Sequence, residues 1–283
     1  MAINGTNNAT SPLEHSNNTP NRTSPLGHNN NTPDGVSLNG ITEHSNNNNN
    51  TTPQKVMFFD IDNCLYPKSH NIHAHMSRLI DAYFQTHLAL TPPEATALHQ
   101  QYYQDYGLAI EGLVRHHKVD PLAYNSQVDD ALPLEQHLKP DPALRALISS
   151  IKREGVKLWL FTNAYRTHAL RVVALLAIAD LFEGVTYCDY ASPPLLCKPS
   201  PAMYAKAMRE AGVADADRAL CYFVDDSALN VAGAKKYGWR AVQLVEGGTK
   251  APVEMAGEAQ IEALGELRDV FPELFGPGAV SAR

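Results

Sequence analysis

The chain has 283 residues, 44% of them apolar and 19% charged, with a formal net charge of −7. That length holds one large domain or two small ones, and the composition allows a sizeable buried core. No long basic block favours nucleic acid or an anionic membrane as a partner, no run approaches the roughly 20 apolar residues of a membrane span, and the start lacks a secretory signal.

Residues 1–52 stand apart from the rest. They carry 15 Asn, no aromatic residue and four charged ones, and two stretches look alike, EHSNNTP from Glu14 and GHNNNTP from Gly27. Such a segment buries too little apolar area to offset its chain entropy, so an Asn-rich disordered tail is expected. From Lys55 onward five short apolar runs follow: VMFFD (56–60), KLWLFT (157–162), VTYCD (185–189), ALCYFVD (219–225) and AVQLV (241–245). Their apolar continuity suits strands covered on both faces, and helical segments between the later ones argue for a parallel sheet with crossovers.

Helix starts are written at Asp141-Pro142 and Ser200-Pro201, with a stop at Gly212. Ser227 or Asp226 can cap a third helix ending near Gly238, and Asn163 can cap a fourth. The first two runs are too far apart for one crossover helix. Between them Met76, Leu79, Ile80, Tyr83, Phe84 and Leu88 fall near helical spacing. The expected fold is therefore α/β, a Rossmann-like parallel sheet with an inserted α-helical cap. The core spans 53–67 and 140–250, the cap 68–139, and a C-terminal piece 251–283 carries a helix over 256–268.

Three of the runs end in polar residues of one kind. They are Asp60 with Asp62 and Asn63 beyond it, Thr162 with Asn163, and Asp225 with Asp226. In a parallel sheet these ends share one edge, where ligands of open α/β folds bind. Lys198 lies in a connection that can reach the same edge. Two carboxylates spaced as Asp-x-Asp can divide the work of attacking phosphorus and handling a proton, since Asp is a phosphoryl acceptor. Asp225 can join Asp60 around a hard cation such as Mg2+. Lys198 and the amides near Thr162 can neutralise phosphate oxygens. Each piece also has a plain structural reading: a turn, a helix cap or a surface lysine. Their joint order favours a site, because acidic groups crowded at one edge repel one another without a cation. His70, His73 and His75 do not share one helical face, and His116 and His117 diverge, so surface or cap packing is expected for them. The cysteines (Cys64, Cys188, Cys197, Cys221) form no C-x-x-C pair and read as reduced thiols. A cytoplasmic address is expected, with a nuclear pool open.

These pieces resemble the four motifs of the haloacid dehalogenase superfamily: FFDIDNCLY (58–66), LFTNA (160–164), Lys198 in CKPSPAMY, and FVDDSALN (223–230). The segments DIDNCLYP, YYQDYGLAIEGLVRHHKVD (102–120), VDDALPL (128–134) and LWLFTNAYRTHALRV (158–172) are similar to fungal pyrimidine 5′-nucleotidases. The resemblance implies a magnesium-dependent phosphomonoesterase working through an aspartyl-phosphate, with UMP and CMP as expected substrates. Lysophosphatidate or another small phosphate ester is the alternative, and a non-catalytic phospho-acceptor or binding protein a remote one. It implies Asp60 as nucleophile and metal ligand, and Asp62 as acid and base with its carbonyl on the metal. It further implies Thr162, Asn163 and Lys198 on the phosphate, Asp225 as metal ligand and Asp226 in support. Tyr106, Gly107, Arg115 and His116 are candidate cap contacts to the leaving group, with cap packing equally open. One departure is Cys64, where many superfamily members carry Thr. No activating base adjoins it, so it is not expected to act as a nucleophile. The partner is then a small phosphate monoester, not nucleic acid or membrane; the oligomeric state is not written in the sequence.

Overall fold

The structure, a computed structural model, describes residues 54–247 and 254–276; the Asn-rich segment 1–52 lies outside them. Six strands form one sheet: β1 (Lys55–Phe59), β2 (Val156–Phe161), β3 (Gly184–Thr186), β4 (Cys221–Asp225), β5 (Arg240–Leu244) and β6 (Ala259–Ile261). Their order is β3-β2-β1-β4-β5-β6, and every pairing is parallel. The apolar runs form this sheet because both faces are covered. Met57, Phe59, Leu158, Leu160 and Val224 enter the core on one side, and Val56, Phe58, Phe161 and Phe223 the core on the other. That is the two-residue period of a strand expressed as two cores.

The insert that follows β1 carries α1 (Ile72–Leu88), α2 (Pro92–Tyr106), α3 (Ala109–His116), α4 (Pro121–Gln127) and α5 (Leu134–His137). Their starts follow from local chemistry. Glu94 folds back on the Thr91 backbone N–H at 2.9 Å in a capping box, and Asp120 accepts from Leu122 N at 3.0 Å. Ile80, Tyr83, Phe84, Tyr102, Ile110 and Leu113 build a third core. This core also takes Cys188, Tyr190, Leu195 and Cys197 from the loop after β3, so the insert is sealed partly by the sheet's own connection.

The remaining helices are α6 (Pro142–Ser149), α7 (Arg166–Leu175), α8 (Pro201–Ala211), α9 (Ala228–Tyr237) and α10 (Leu267–Val270). Asp141 caps α6 through Ala143 N and Leu144 N, while Gly212 and Gly238 end α8 and α9 in the left-handed region. The C-terminal helix expected over 256–268 is corrected. Residues Ala259–Ile261 extend the sheet as β6, pairing with β5, and the short α10 follows between two 3₁₀ turns. An edge beside β5 offers a row of backbone donors and acceptors, and this pairing outweighs the weak helical pattern of the segment. Among the described residues no helix is long and apolar enough to cross a membrane.

Candidate active site

Strand β1 lies between β2 and β4, with Phe59 opposite both Leu160 and Val224. The next residue of each strand therefore arrives at one point of the sheet's C-terminal edge. Asp60 N is held by Val224 O at 3.0 Å, and Asp225 closes β4 beside it. Lys198 completes the group from the loop before α8. Its Nζ donates to Asp60 Oδ1, Asp225 Oδ2 and the Phe161 carbonyl, each at 2.7 Å, so all three ammonium hydrogens are used. Lys198 is 1% exposed and Asp225 0%. Asp225 Oδ1 accepts from Ser227 N at 2.7 Å, and Asn230 Nδ2 donates to both its oxygens.

The charges of this cluster do not balance. Asp60, Asp225 and Asp226 offer carboxylate oxygens within 4.8 Å of one another. Two ammonium groups face them, Lys198 and, at 3.0 Å from Asp226, Lys68. Burial and the neighbouring Asp225 charge push Asp60 well above the ordinary carboxylate range, against the pull of Lys198. Burial and Asp225 likewise raise Asp226 to about 6. Burial opposes the charge on Lys198, but Asp225 and Asp60 more than restore it and hold its pKa above that of a free lysine. Three carboxylates facing two ammonium groups form an oxygen donor set of the kind that can hold a hard cation.

Asp62 stands apart from that cluster. Its Oδ1 accepts from Tyr66 OH at 2.6 Å and from His168 Nε2 at 2.7 Å. Burial favours a neutral Asp62, yet the charge and hydrogen bond of His168, with Tyr66, pull its pKa below the usual value. Burial likewise opposes charge on His168, and Asp62 raises it. Neither Tyr66 nor His168 was singled out from sequence. The only trace is spacing: Tyr66 follows Asp62 by four residues, and His168 sits in an otherwise ordinary helical run.

Thr162 is buried, and its Oγ1 accepts from Ala164 N at 3.0 Å. Asn163 does not cap a helix; α7 begins only at Arg166. Its amide instead brackets the Lys198 backbone, donating to Lys198 O at 2.9 Å and accepting from Lys198 N at 2.7 Å. A side-chain amide carries one donor and one acceptor side, which matches a peptide unit better than a helix end. Cys64 is buried with its thiol toward Val224 O, and burial and Asp60 push its pKa well above that of a free thiol, which disfavours the thiolate.

Over this edge lies a cavity of about 750 Å³, lined by Asp60, Asp62, Thr162, Asn163, Lys198 and Asp225 below and by the helical insert above. Of the four candidate cap contacts, only Gly107 lines it. With φ of +78° it packs on Lys198, and a Cβ there would meet Lys198 O at 2.7 Å and Pro199 Cδ at 2.9 Å. Tyr106 and Arg115 instead face a second cleft, also bordered by Gly107. Tyr106 OH meets His116 Nε2 at 2.6 Å, and Arg115 lies over the Tyr106 ring and pairs with buried Glu111. The stripe of α2 that faces the cavity carries Gln100, Tyr103 and Gln104, and Tyr106 falls beside that stripe on the second cleft. The insert's wall also includes His73, Asp81, Thr96, His99 and Gln100, none of which the sequence indicated as contacts. His99 Nδ1 and Thr96 Oγ1 are each 2.8 Å from an Asp81 oxygen.

Known proteins share this fold. A family model for haloacid dehalogenase-like hydrolases matches residues 54–238. The chain is 41% identical over 202 residues to Phosphate metabolism protein 8 of Saccharomyces cerevisiae, covering 68% of this chain and 62% of that one. It thus spans less than two thirds of that relative. Among solved structures, a hydrolase from Pseudomonas syringae superposes with a TM-score of 0.57 at 18% identity, covering 79% of this chain and 100% of that one. A phosphatase of the same superfamily from Thermococcus onnurineus gives 0.50 at 19% identity, covering 76% and 97%. At those identities the two structures speak for the fold alone. With the matched segment running from β1 through α9, the chain belongs to the haloacid dehalogenase-like hydrolases.

Proposed function

We propose that this hydrolase cleaves phosphate monoesters, with Asp60 as nucleophile and pyrimidine nucleoside 5′-monophosphates, UMP and CMP, as substrates. The observation that carries the reading is the meeting of Asp60, Lys198 and Asp225 at one buried edge, with Asp62 two residues on and turned to a different set of partners. In the first step a carboxylate oxygen of Asp60 forms a bond to phosphorus while the ester P–O bond breaks. The leaving oxygen keeps the electron pair and takes a proton from Asp62. In the second step Asp62 takes a proton from water, whose oxygen bonds to phosphorus and frees Asp60. Thr162 and the backbone amides beside Asn163 hold the non-bridging oxygens, and the Lys198 ammonium, anchored on Asp60 and Asp225, supplies positive charge beside them. Asn163 itself sets the Lys198 loop in place.

Mg2+ fits the site: the donors are carboxylate oxygens, hard ligands suited to it, and they carry more negative charge than the facing lysines balance. Asp60, Asp225 and the Asp62 carbonyl would hold it, with Asp226 in support. Its charge, when bound, offsets the repulsion between these carboxylates and an anionic ester.

For the substrate, the cavity has the size of a small-ligand site. Asp81, Thr96, His99, Gln100 and Tyr103 on the insert, acting as a cap over 68–139, present hydrogen-bonding groups suited to a base and a ribose. The same wall holds Ile72, Met76, Ile80 and Leu108, which favours a second reading in which the leaving group is a lysophosphatidate. Phosphate release with Mg2+ from nucleoside monophosphates, lysophosphatidate and sugar phosphates separates them. Preference for UMP and CMP over purine nucleotides supports the first; preference for lysophosphatidate replaces it with the second. Release from none of them counts against hydrolysis of these esters and moves weight to a binding role.

A further inference from the structure

Asp62 has two oxygens, and the protein treats them differently. Oδ1 is gripped from two sides, by Tyr66 OH and His168 Nε2. Among the described residues Oδ2 takes no side-chain or backbone hydrogen bond, while the side chain lines the cavity and is 26% exposed. Oδ1 is an acceptor both in the ionised carboxylate and in the acid that carries its proton on Oδ2, so His168 Nε2 supplies the hydrogen of that bond. His168 is 0% exposed and stands on the first turn of α7, a helix that otherwise packs aliphatic residues such as Ala169, Val172 and Val173 against the sheet. Its other ring nitrogen, Nδ1, is buried without a hydrogen-bond partner. A buried unpaired nitrogen costs stability, and an apolar side chain would pack there without that cost. The imidazole is thus poorly explained by packing alone and well explained by its one bond.

We propose that His168, with Tyr66, is a positioning residue that holds Asp62 by Oδ1 so that Oδ2 faces the leaving oxygen of the ester. This rests on the phosphatase reading above. A carboxylate hung from its backbone alone rotates about two torsions. Two donors on one oxygen remove that freedom and leave a single atom for proton transfer, which is worth rate only where the leaving group needs a proton.

The test is a leaving-group comparison in the first turnover, with the full-length protein and Mg2+. UMP, whose leaving alkoxide needs a proton, is set against 2,4-dinitrophenyl phosphate, whose phenolate leaves without one. His168→Ala is expected to slow single-turnover release from UMP by about 10²-fold or more, with release of dinitrophenolate changed by less than about 5-fold. His168→Gln, which offers an N–H from a side chain of similar reach, is expected to recover part of the UMP rate. Tyr66→Phe should show the same selectivity with a smaller loss, and it carries the test if His168→Ala does not fold. In an Asp62→Asn background, His168→Ala should cost UMP hydrolysis little more, since both act through one group. Equal slowing of both esters, or no slowing of either, overturns the positioning role alone. Wild-type protein that hydrolyses neither ester, or an Asp60→Asn variant that keeps both rates, overturns the phosphatase reading and the proposal with it.

Discussion

Replacing Lys198 by methionine keeps most of the stem and deletes one charge from a buried cluster. In the wild type Nζ holds Asp60 and Asp225 at 2.7 Å each and also satisfies the Phe161 carbonyl. All of these groups are buried. Without the ammonium, two like charges remain in a site of low dielectric, and breaking a buried pair in this way costs about 3–5 kcal/mol. For a folded unit of this size each kcal/mol moves the midpoint by about 2–4 °C, so Lys198→Met should melt about 6–20 °C lower in EDTA. Burial and Asp225 already hold the Asp60 carboxyl well above the ordinary range, and losing Lys198 removes the pull against that shift. Native stability is then best below the unfolded carboxylate pKa and is lost as pH rises, so the deficit should be smaller at pH 5.5 than at pH 7.5. Thermal and urea unfolding at both pH values measure this. A deficit under about 1 kcal/mol at pH 7.5 in EDTA, or one that grows on acidification, refutes the account of Lys198 as the counter-charge of this edge.

Asp60→Asn should lower phosphate release by more than about 10⁴-fold with an unchanged circular dichroism spectrum, because removing a nucleophile leaves only binding and charge stabilisation; wild-type rates would rule out Asp60. Asp129 is buried, and burial with the nearby Asp62 and Asp130 charges raises it to about 7 against the pull of His168. Its stabilising term is complete below the unfolded carboxylate pKa and is lost as pH rises to 7. Asp129→Asn should therefore gain on the wild type by up to about 1.4 kcal/mol per pH unit between pH 5 and 7, read from urea midpoints; a flat difference refutes the shift. Gly107→Ala combines a left-handed backbone with a Cβ 2.7 Å from Lys198 O. It should cost about 1–3 kcal/mol and reduce turnover by moving the insert off the Lys198 loop; a variant as stable and active as the wild type counts against that contact.

The ends of the apolar runs were readable in the sequence because strand identity and edge chemistry are local. VMFFD, KLWLFT and ALCYFVD became β1, β2 and β4, and a parallel sheet brings like ends together whatever lies between. Hence Asp60, Lys198 and Asp225 could be grouped from motif order, and the structure places them in contact. The C-terminal β6 escaped because it exists only by pairing with β5, and that pairing partner is invisible to local pattern. The contacts of Asp62, Asn163 and the insert likewise depend on long-range packing. His168 meets Asp62 across 106 positions of chain, and Asn163 meets Lys198 across 35. Whether Tyr103 or Tyr106 faces the cavity depends on how α2 is rotated against α3 and the loop after β3. The sequence by itself determined five of the six strands, the polar ends of three of them and the chemistry these can support, since each rests on a few neighbouring residues. Only the tertiary structure decided which side chains orient that chemistry and which wall meets the leaving group, because both follow from the packing of helices that are far apart in sequence.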